Sequence, residues 1–173
     1  MVFLLGVADF GRVFADGIAL EAAARNSSEA AAEEYVQLCQ TDLNLDPSAC
    51  SKGLQPADYT TLHDLALEVG CRESDRLTNV QKSGPNCTNP VIAVCIHDDL
   101  QGDVNKCGQE APSPGGPCYA MYASWTSARV PPTDRPYAEV RMCYRFDPLI
   151  TFALGGWGSV WLQKSNTFAV TNY

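Results

Sequence analysis

Apolar and polar positions divide the chain into a helical opening and a strand-rich remainder. From Val2 to about Leu38 there is no proline, and Ala22-Ala23-Ala24 and Ala30-Ala31-Ala32 supply the most helix-favouring composition available. This predicts one long helix. At 1.5 Å per residue it runs to roughly 55 Å, longer than the diameter of a domain of this size, so one end protrudes or packs on another chain. Gly11, Ala15, Ala19, Ala23, Ser27 and Ala31 recur at intervals of four and form a slowly rotating stripe of small residues. Small residues let helix backbones approach closely. The stripe either seats the helix on its own domain or receives a helix of another chain, and the pattern leaves both readings open. Charges also fall at helical spacing: Asp9 with Arg12, Arg12 with Asp16, Glu21 with Arg25, Arg25 with Glu29.

Beyond the long helix, Gln55 to Gly70 reads as a second one, with Leu62, Leu65, Ala66 and Val69 on one face and Gly70 as its stop. Three strands are expected: Val91 to Ile96 after Pro90, Tyr137 to Phe146 with regular alternation, and Ser159 to Val170. Residues 98–136 are rich in breakers, including Pro112, Pro114, Gly115, Gly116 and Pro117. Within that stretch Tyr119 to Thr126 is either a fourth strand or a turn of helix. The fold class is therefore α+β: a long N-terminal helix, residues 1–38, packed on a small antiparallel sheet within a disulfide-stapled head, residues 39–173.

Composition adds the compartment. Eight cysteines in 173 residues, with no C-x2-C spacing for zinc, predict four disulfides and an oxidising environment. Context favours Cys95–Cys143 between the two strongest strands, with Cys39–Cys50, Cys71–Cys87 and Cys107–Cys118 each closing a local loop. The net charge of −8 argues against nucleic acid or an anionic membrane as the main partner. Most of that charge lies in the first fifty residues, where Arg12 and Arg25 face eight acidic groups. The apolar opening Met1 to Ala8 is too short to span a bilayer, which needs about 20 residues. It carries no basic n-region or cleavage site, so an exported chain is expected to have a further segment upstream.

Candidate chemistry is sparse. His63 and His97 sit in no catalytic motif and are assigned structural roles. His97-Asp98-Asp99 with Asp103 carries oxygen ligands suited to calcium but lacks EF-hand spacing, so a solvated turn is the expected state. Asn26-Ser27-Ser28 and Asn86-Cys87-Thr88 match the glycosylation acceptor pattern. The first lies on the helix, and the second holds a cysteine expected to be bridged. Trp125, Trp157 and Trp161 are assigned to core or interface packing ahead of a sugar platform. There is no P-loop, dinucleotide fingerprint or nucleophile elbow, and no enzyme activity, cofactor or metal is assigned.

The segment Gly6-Val7-Ala8-Asp9-Phe10-Gly11-Arg12-Val13-Phe14, followed by Ala22-Ala23-Ala24-Arg25, resembles the TadE-like pseudopilins of tight-adherence pilus systems. In that family an apolar helix ends in an acidic-Phe-Gly-Arg element and continues into an Ala-Ala-Arg segment. Val140 to Leu149 resembles the family's late strand. About 70 residues carry the likeness, and the cysteine-rich middle adds nothing to it. The resemblance implies a pilin-like structural subunit: a helical stem in a membrane and then in a helical bundle, and an exposed head. Its expected partners are copies of itself or other pilin-like subunits, the assembly machinery, and the membrane before assembly. Its expected location is a cell-surface filament or the inner membrane with the head outside the cytoplasm.

On this reading Phe3, Leu4, Val7, Phe10, Val13, Phe14 and Ile18 bury apolar surface between helices. Gly11, Ala15, Ala19 and Ala23 allow close approach, and Arg12 and Arg25, with Asp9, set register through charged neighbours in adjacent subunits. Arg12→Ala is then expected to disrupt assembly more than the head's stability. The alternative from another class is a membrane-anchored binding module, with the helix as a tether and residues 98–136 as the recognition loop. A secreted hydrolase is a third reading without a nucleophile and base to support it.

Overall fold

A computed structural model describes residues 2–45, 54, 56–98, 107–108, 116–119, 121, 136–149 and 158–170 of the chain. Helix α1 spans Val2–Leu45. It passes the expected end near Leu38 because no proline intervenes until Pro47, which disfavours helix at the residue before it. At 44 residues α1 is roughly 66 Å long. Helix α2, Pro56–Glu73, opens on a proline, whose fixed φ and missing N–H suit the first helical position. A single 3-10 turn, Ser74–Arg76, follows it.

Two short strands, β1 (Gln81–Ser83) and β2 (Asn86–Asn89), pair as a hairpin across Gly84, whose φ of 65° lies in the left-handed region. The main sheet holds β3 (Val91–His97), β4 (Cys107–Gly108), β5 (Tyr137–Phe146) and β6 (Val160–Ala169), in the order β4-β3-β5-β6 and antiparallel throughout. The three expected strands are present, and β4 is the sheet's fourth. Tyr119 and Met121 belong to a helical turn, and 122–126 lie outside the described residues.

Alternation sorts the sheet's side chains. Ile92, Val94 and Ile96 of β3 and Ala138, Val140, Met142, Tyr144 and Phe146 of β5 face the helices and are buried. They form one hydrophobic core with Leu20, Ala24, Ala31 and Tyr35 of α1 and Leu62 and Ala66 of α2. On the opposite face Ala93 and Cys143 pack with Cys118 as a second, smaller cluster. The long helix therefore shares its inner face with the head's own core.

Gly70 does not end α2, which continues to Glu73. A Cβ at Gly70 would lie 2.8 Å from Met142 Cε and 3.2 Å from both Ile92 Cδ1 and Ser27 Oγ. At this glycine α2, α1 and the sheet meet closely.

The bridges are Cys71–Cys87, Cys95–Cys107 and Cys118–Cys143. Cys71–Cys87 is as expected. Cys95–Cys143 and Cys107–Cys118 are not formed, for a reason of register: Cys95 lies opposite Glu139, and Cys143 lies opposite Val91. Four residues along a strand separate the two levels by about 13 Å, beyond a disulfide's Cα–Cα reach. Each cysteine instead bridges to chain beside or over the outer sheet face. Cys39 is also disulfide-bonded; its expected partner, Cys50, lies outside the described residues.

Candidate assembly face

The first half of α1 is held to the head by its charges. Asp9 Oδ1 accepts from Arg12 Nη1 at 3.0 Å and from the Leu149 backbone N–H at 3.0 Å. The Arg12 guanidinium carbon lies 5.0 Å from the centre of the Phe146 ring, in cation–π range. Asp16 is buried, and its Oδ2 accepts from the hydroxyls of Thr78 at 2.7 Å and Tyr144 at 3.1 Å. The Tyr144 oxygen in turn accepts the Asn79 N–H at 2.9 Å. Burial raises the Tyr144 hydroxyl's pKa above the usual value, and the carboxylate of Asp16 adds to this; the Thr78 and Asn79 contacts oppose it.

Farther along, Lys164 of β6 donates to Glu21 Oε2 at 2.8 Å, and its hydrogen bond and charge hold that carboxyl below the usual range. Ser28 donates to Asn166 Oδ1 at 3.0 Å. Asn26 Nδ2 donates to Glu73 at the end of α2 at 3.2 Å, and Ser27 Oγ donates to the Ala66 carbonyl at 2.6 Å. One flank of α1 thus runs along β6 and the other along α2.

With Asp9 and Asp16 buried and Arg12 half-buried against Phe146, the outward face of residues 6–18 has no fully exposed charge. It consists of Gly6, Val7, Ala8, Phe10, Gly11, Phe14, Ala15 and Ile18, all exposed. Phe10 is 75% exposed, Phe14 66%, and Val7 and Ile18 57% each. Large apolar side chains scattered singly are ordinary on a surface; here four stand in a row on one helix.

The residues expected to assemble therefore divide. Val7, Phe10, Gly11, Phe14, Ala15 and Ile18 face outward. Asp9 and Ala23 are buried in the molecule itself, and Arg12, Val13 and Ala19 are half-buried. Phe3 and Leu4 lie within α1, with side chains outside those described. The small-residue stripe splits in the same way: Ala23, Ser27 and Ala31 are buried, and Gly11 and Ala15 are open. Arg12 is engaged with Asp9 and Phe146 within one chain. Arg25 is exposed. Asp16 pairs with Thr78 and Tyr144 where Arg12 had been expected, and Glu21 pairs with Lys164 where Arg25 had been.

Two buried polar clusters were not evident from the sequence. Asp98 is fully buried and accepts from Tyr59 OH at 2.5 Å and Tyr35 OH at 3.3 Å, so α1, α2 and the end of β3 meet on one carboxylate. The expected solvated turn is replaced at Asp98 by this cluster; Asp99 and Asp103 lie outside the described residues. On the outer sheet face His97 Nε2 donates to Glu139 Oε2 at 2.8 Å, and Arg141 Nε donates to Glu139 Oε1 at 2.6 Å. Arg141 Nη1 also reaches the Met121 carbonyl. The His97 ring stacks on Tyr137 with centroids 4.2 Å apart. His97 thus has a structural position, and His63 is buried in α2.

The acceptor Asn26 is exposed while Ser27 and Ser28 point inward; Asn86 and Thr88 are exposed with Cys87 bridged between them. Trp161 is partly exposed, and Trp125 and Trp157 lie outside the described residues. A groove of about 330 Å³ between α1 and β6 is lined by Glu29, Ala32, Glu33, Val36, Gln37, Phe168 and Ala169. Among the described residues no helix is long and apolar enough to cross a membrane. The disulfides are the chemistry of an oxidising, extracytoplasmic environment. The chain matches no family model, no curated protein and no solved structure.

Proposed function

We propose that the chain is a structural subunit of a type IV pilus-like, tight-adherence filament on the cell surface, or of its assembly apparatus, and that it associates through the first half of α1. The observation that carries this reading is the apolar outward face of residues 6–18, whose local charges are all turned into the head. A helix that serves only as a tether gains nothing from exposing two phenylalanines, because apolar area left in water forfeits about 25 cal/mol per Å². The TadE-like segment Gly6 to Phe14 supports the pilin assignment, since its Asp-Phe-Gly-Arg element is also the stretch that presents the outward Phe10 and Gly11.

Sedimentation velocity of the oxidised chain across a range of concentrations tests the reading. Concentration-dependent assembly, visible as helical multimers by electron microscopy and abolished in Phe10→Asp/Phe14→Asp with an unchanged melting temperature, is the expected result. A chain that stays monomeric at every concentration and in every preparation overturns it.

A further inference from the structure

One edge of the main sheet is open. In the order β4-β3-β5-β6, β6 has β5 on one side and, among the described residues, no hydrogen-bond partner for its backbone on the other. Two contacts fix which residues bond toward which side. The Val170 N–H donates to the Pro136 carbonyl at 2.8 Å, which continues the β5–β6 register and makes the even-numbered residues of β6 those bonded to β5. At the other end Arg145, opposite Trp161, turns both its N–H and its carbonyl away from β6 and onto the Asn89 side chain. Trp161, Gln163, Ser165, Thr167 and Ala169 therefore aim their N–H and C=O groups at the open edge. All five are exposed.

Sheet edges are ordinarily guarded by brevity, proline, a bulge or a charge. At the opposite edge β4 is two residues long and tied through Cys107. Strand β6 runs for ten residues, with no proline and an unbroken ladder to β5. That is an edge of about 33 Å. Its one charged side chain, Lys164, is already engaged with Glu21 of α1. On the inner face beside this edge, the groove between α1 and β6 has a floor of Ala32, Val36 and Phe168 and a rim that includes Glu29 and Glu33. Neither carboxylate has a hydrogen-bond or ion-pair partner among the described residues.

We infer that β6 receives a fifth strand from a partner protein: an extended segment, antiparallel to β6, with an apolar side chain over the groove and lysine or arginine at the inner positions on either side of it. Main-chain hydrogen bonds supply the affinity of strand addition, and the pockets beneath alternate side chains supply the selectivity. A residue opposite Phe168 turns its side chain to the inner face, above Ala32 and Val36. Its neighbours two positions away fall on the same face. They come within reach of Glu29, which follows the Ser28 that bonds Asn166, and of Glu33 one turn farther along α1.

A second copy is disfavoured by charge. Two β6 edges paired about a two-fold would set the flanks of two α1 helices side by side, each bearing Glu21, Glu29 and Glu33, in a chain whose net charge is −8. The site shares no residue with the outward face of residues 6–18, so it stands or falls apart from the self-assembly proposed above.

The probe is a capped, fluorescein-labelled peptide, Thr-Lys-Thr-Leu-Thr-Lys-Thr, and its control is Thr-Glu-Thr-Leu-Thr-Glu-Thr. Fluorescence anisotropy with the full, oxidised chain should show the lysine peptide bound at least about tenfold more tightly than the glutamate peptide. Glu29→Lys/Glu33→Lys should reverse that preference. Ser165→Pro should weaken the lysine peptide at least about tenfold at an unchanged melting temperature, because it removes an edge N–H and nothing from the ladder to β5. Methylating the backbone nitrogens of the peptide's third and fifth residues, which stand opposite edge-bonding positions of β6, should weaken it likewise, whereas methylating that of the fourth should not.

Amide exchange followed by NMR is the second measurement. In the free chain the N–H groups of Leu162, Lys164, Asn166 and Phe168 should be protected and those of Gln163, Ser165 and Thr167 should not. The lysine peptide should protect the second set. No binding of either peptide at millimolar concentration, equal affinity for the two, binding unchanged in Ser165→Pro, or binding without new protection at 163, 165 and 167 overturns the inference. So does protection of those three amides in the free chain that rises with its concentration, which assigns the edge to a second copy.

Discussion

The Ser27 hydroxyl donates to the Ala66 carbonyl across 2.6 Å, and one turn farther along α2 the same Ser27 oxygen would lie 3.2 Å from a Cβ at Gly70. Two helices and a sheet converge there on one residue without a side chain. In an open helix a glycine-to-alanine change gains about 1 kcal/mol of propensity. Here the added carbon meets buried Met142 and Ile92 as well as Ser27, and overpacking costs about 1–3 kcal/mol. Gly70→Ala should therefore lose its propensity gain and end slightly destabilised. Gly70→Leu should lose about 3 kcal/mol or more, read as a lower urea midpoint at unchanged slope. A Gly70→Leu variant as stable as the parent would refute the convergence.

Tyr59 joins α2 to the buried carboxylate of Asp98. Burial pushes the Tyr59 hydroxyl far above its usual pKa, and its hydrogen bond to Asp98 and the nearby charge add to the shift. The folded state thus holds this proton more tightly than the unfolded chain, where tyrosine ionises near pH 10. Its contribution is fully present below about pH 10 and declines as pH rises above that value. Tyr59→Phe should cost about 1–3 kcal/mol near neutral pH by depriving Asp98 of a donor. It should also give a shallower alkaline loss of stability. Some slope should remain, because Tyr144 is shifted in the same direction. Denaturant titrations at pH 7 and at several values above 10 measure both effects.

Glu139 carries the opposite sign. Burial alone would raise its pKa, but hydrogen bonds from His97 and Arg141 and the Arg141 charge outweigh that and hold the carboxyl below the usual range. Its stabilisation is therefore present above the unfolded value of about 4.3 and is lost as pH falls through the lower folded value. Glu139→Gln should cost about 1–3 kcal/mol at pH 7. The gap between variant and parent should narrow at acid pH, where the parent's carboxyl is protonated too. A gap that stays constant with pH would mean that the ionised carboxylate is not what holds His97 and Arg141.

Elements with a strong period were legible in the sequence, and relationships that depend on register were not. Alanine-rich composition specified α1, and regular alternation specified β5, because both signals are local. The β1–β2 hairpin carries only weak alternation in strands of three and four residues, and its one clear signal is the Ser83-Gly84-Pro85-Asn86 run. Disulfide partners depend on which residues stand level across the sheet. Recognising two cysteines in neighbouring strands does not say that they sit four residues out of step.

The candidate face shows the same division. Val7, Phe10, Phe14 and Ile18 were among the apolar residues that the resemblance assigned to helix packing, together with Val13, which is half-buried. That Arg12 and Asp16 point into the head was not evident, because an i,i+4 charge pair on a helix is equally compatible with a solvated face and a buried one. Tertiary partners decided it: the Phe146 ring for Arg12, and the hydroxyls of Thr78 and Tyr144 for Asp16.

The outer sheet face is closed by chain that depends on its bridges. Cys118 ties the 116–121 turn to Cys143 of β5, next to the point where Gln163 Nε2 donates to the Pro117 carbonyl at 2.9 Å and Arg141 reaches Met121. A bridge spanning a loop of this size stabilises by about 3 kcal/mol, largely by restricting the unfolded chain. Cys118→Ala/Cys143→Ala should lose about that much. It should also loosen the turn over Glu139, so amide exchange should accelerate at 137–143 of β5 before it does in α1, whose inner face is buried in the other core. Peptide mapping of the unreduced parent should recover Cys95 linked to Cys107 and Cys118 linked to Cys143. A Cys95–Cys143 peptide would require the β3–β5 register to shift by four residues, which would turn Ile92 and Val94 against different partners and dismantle the core they form with Met142 and Val140.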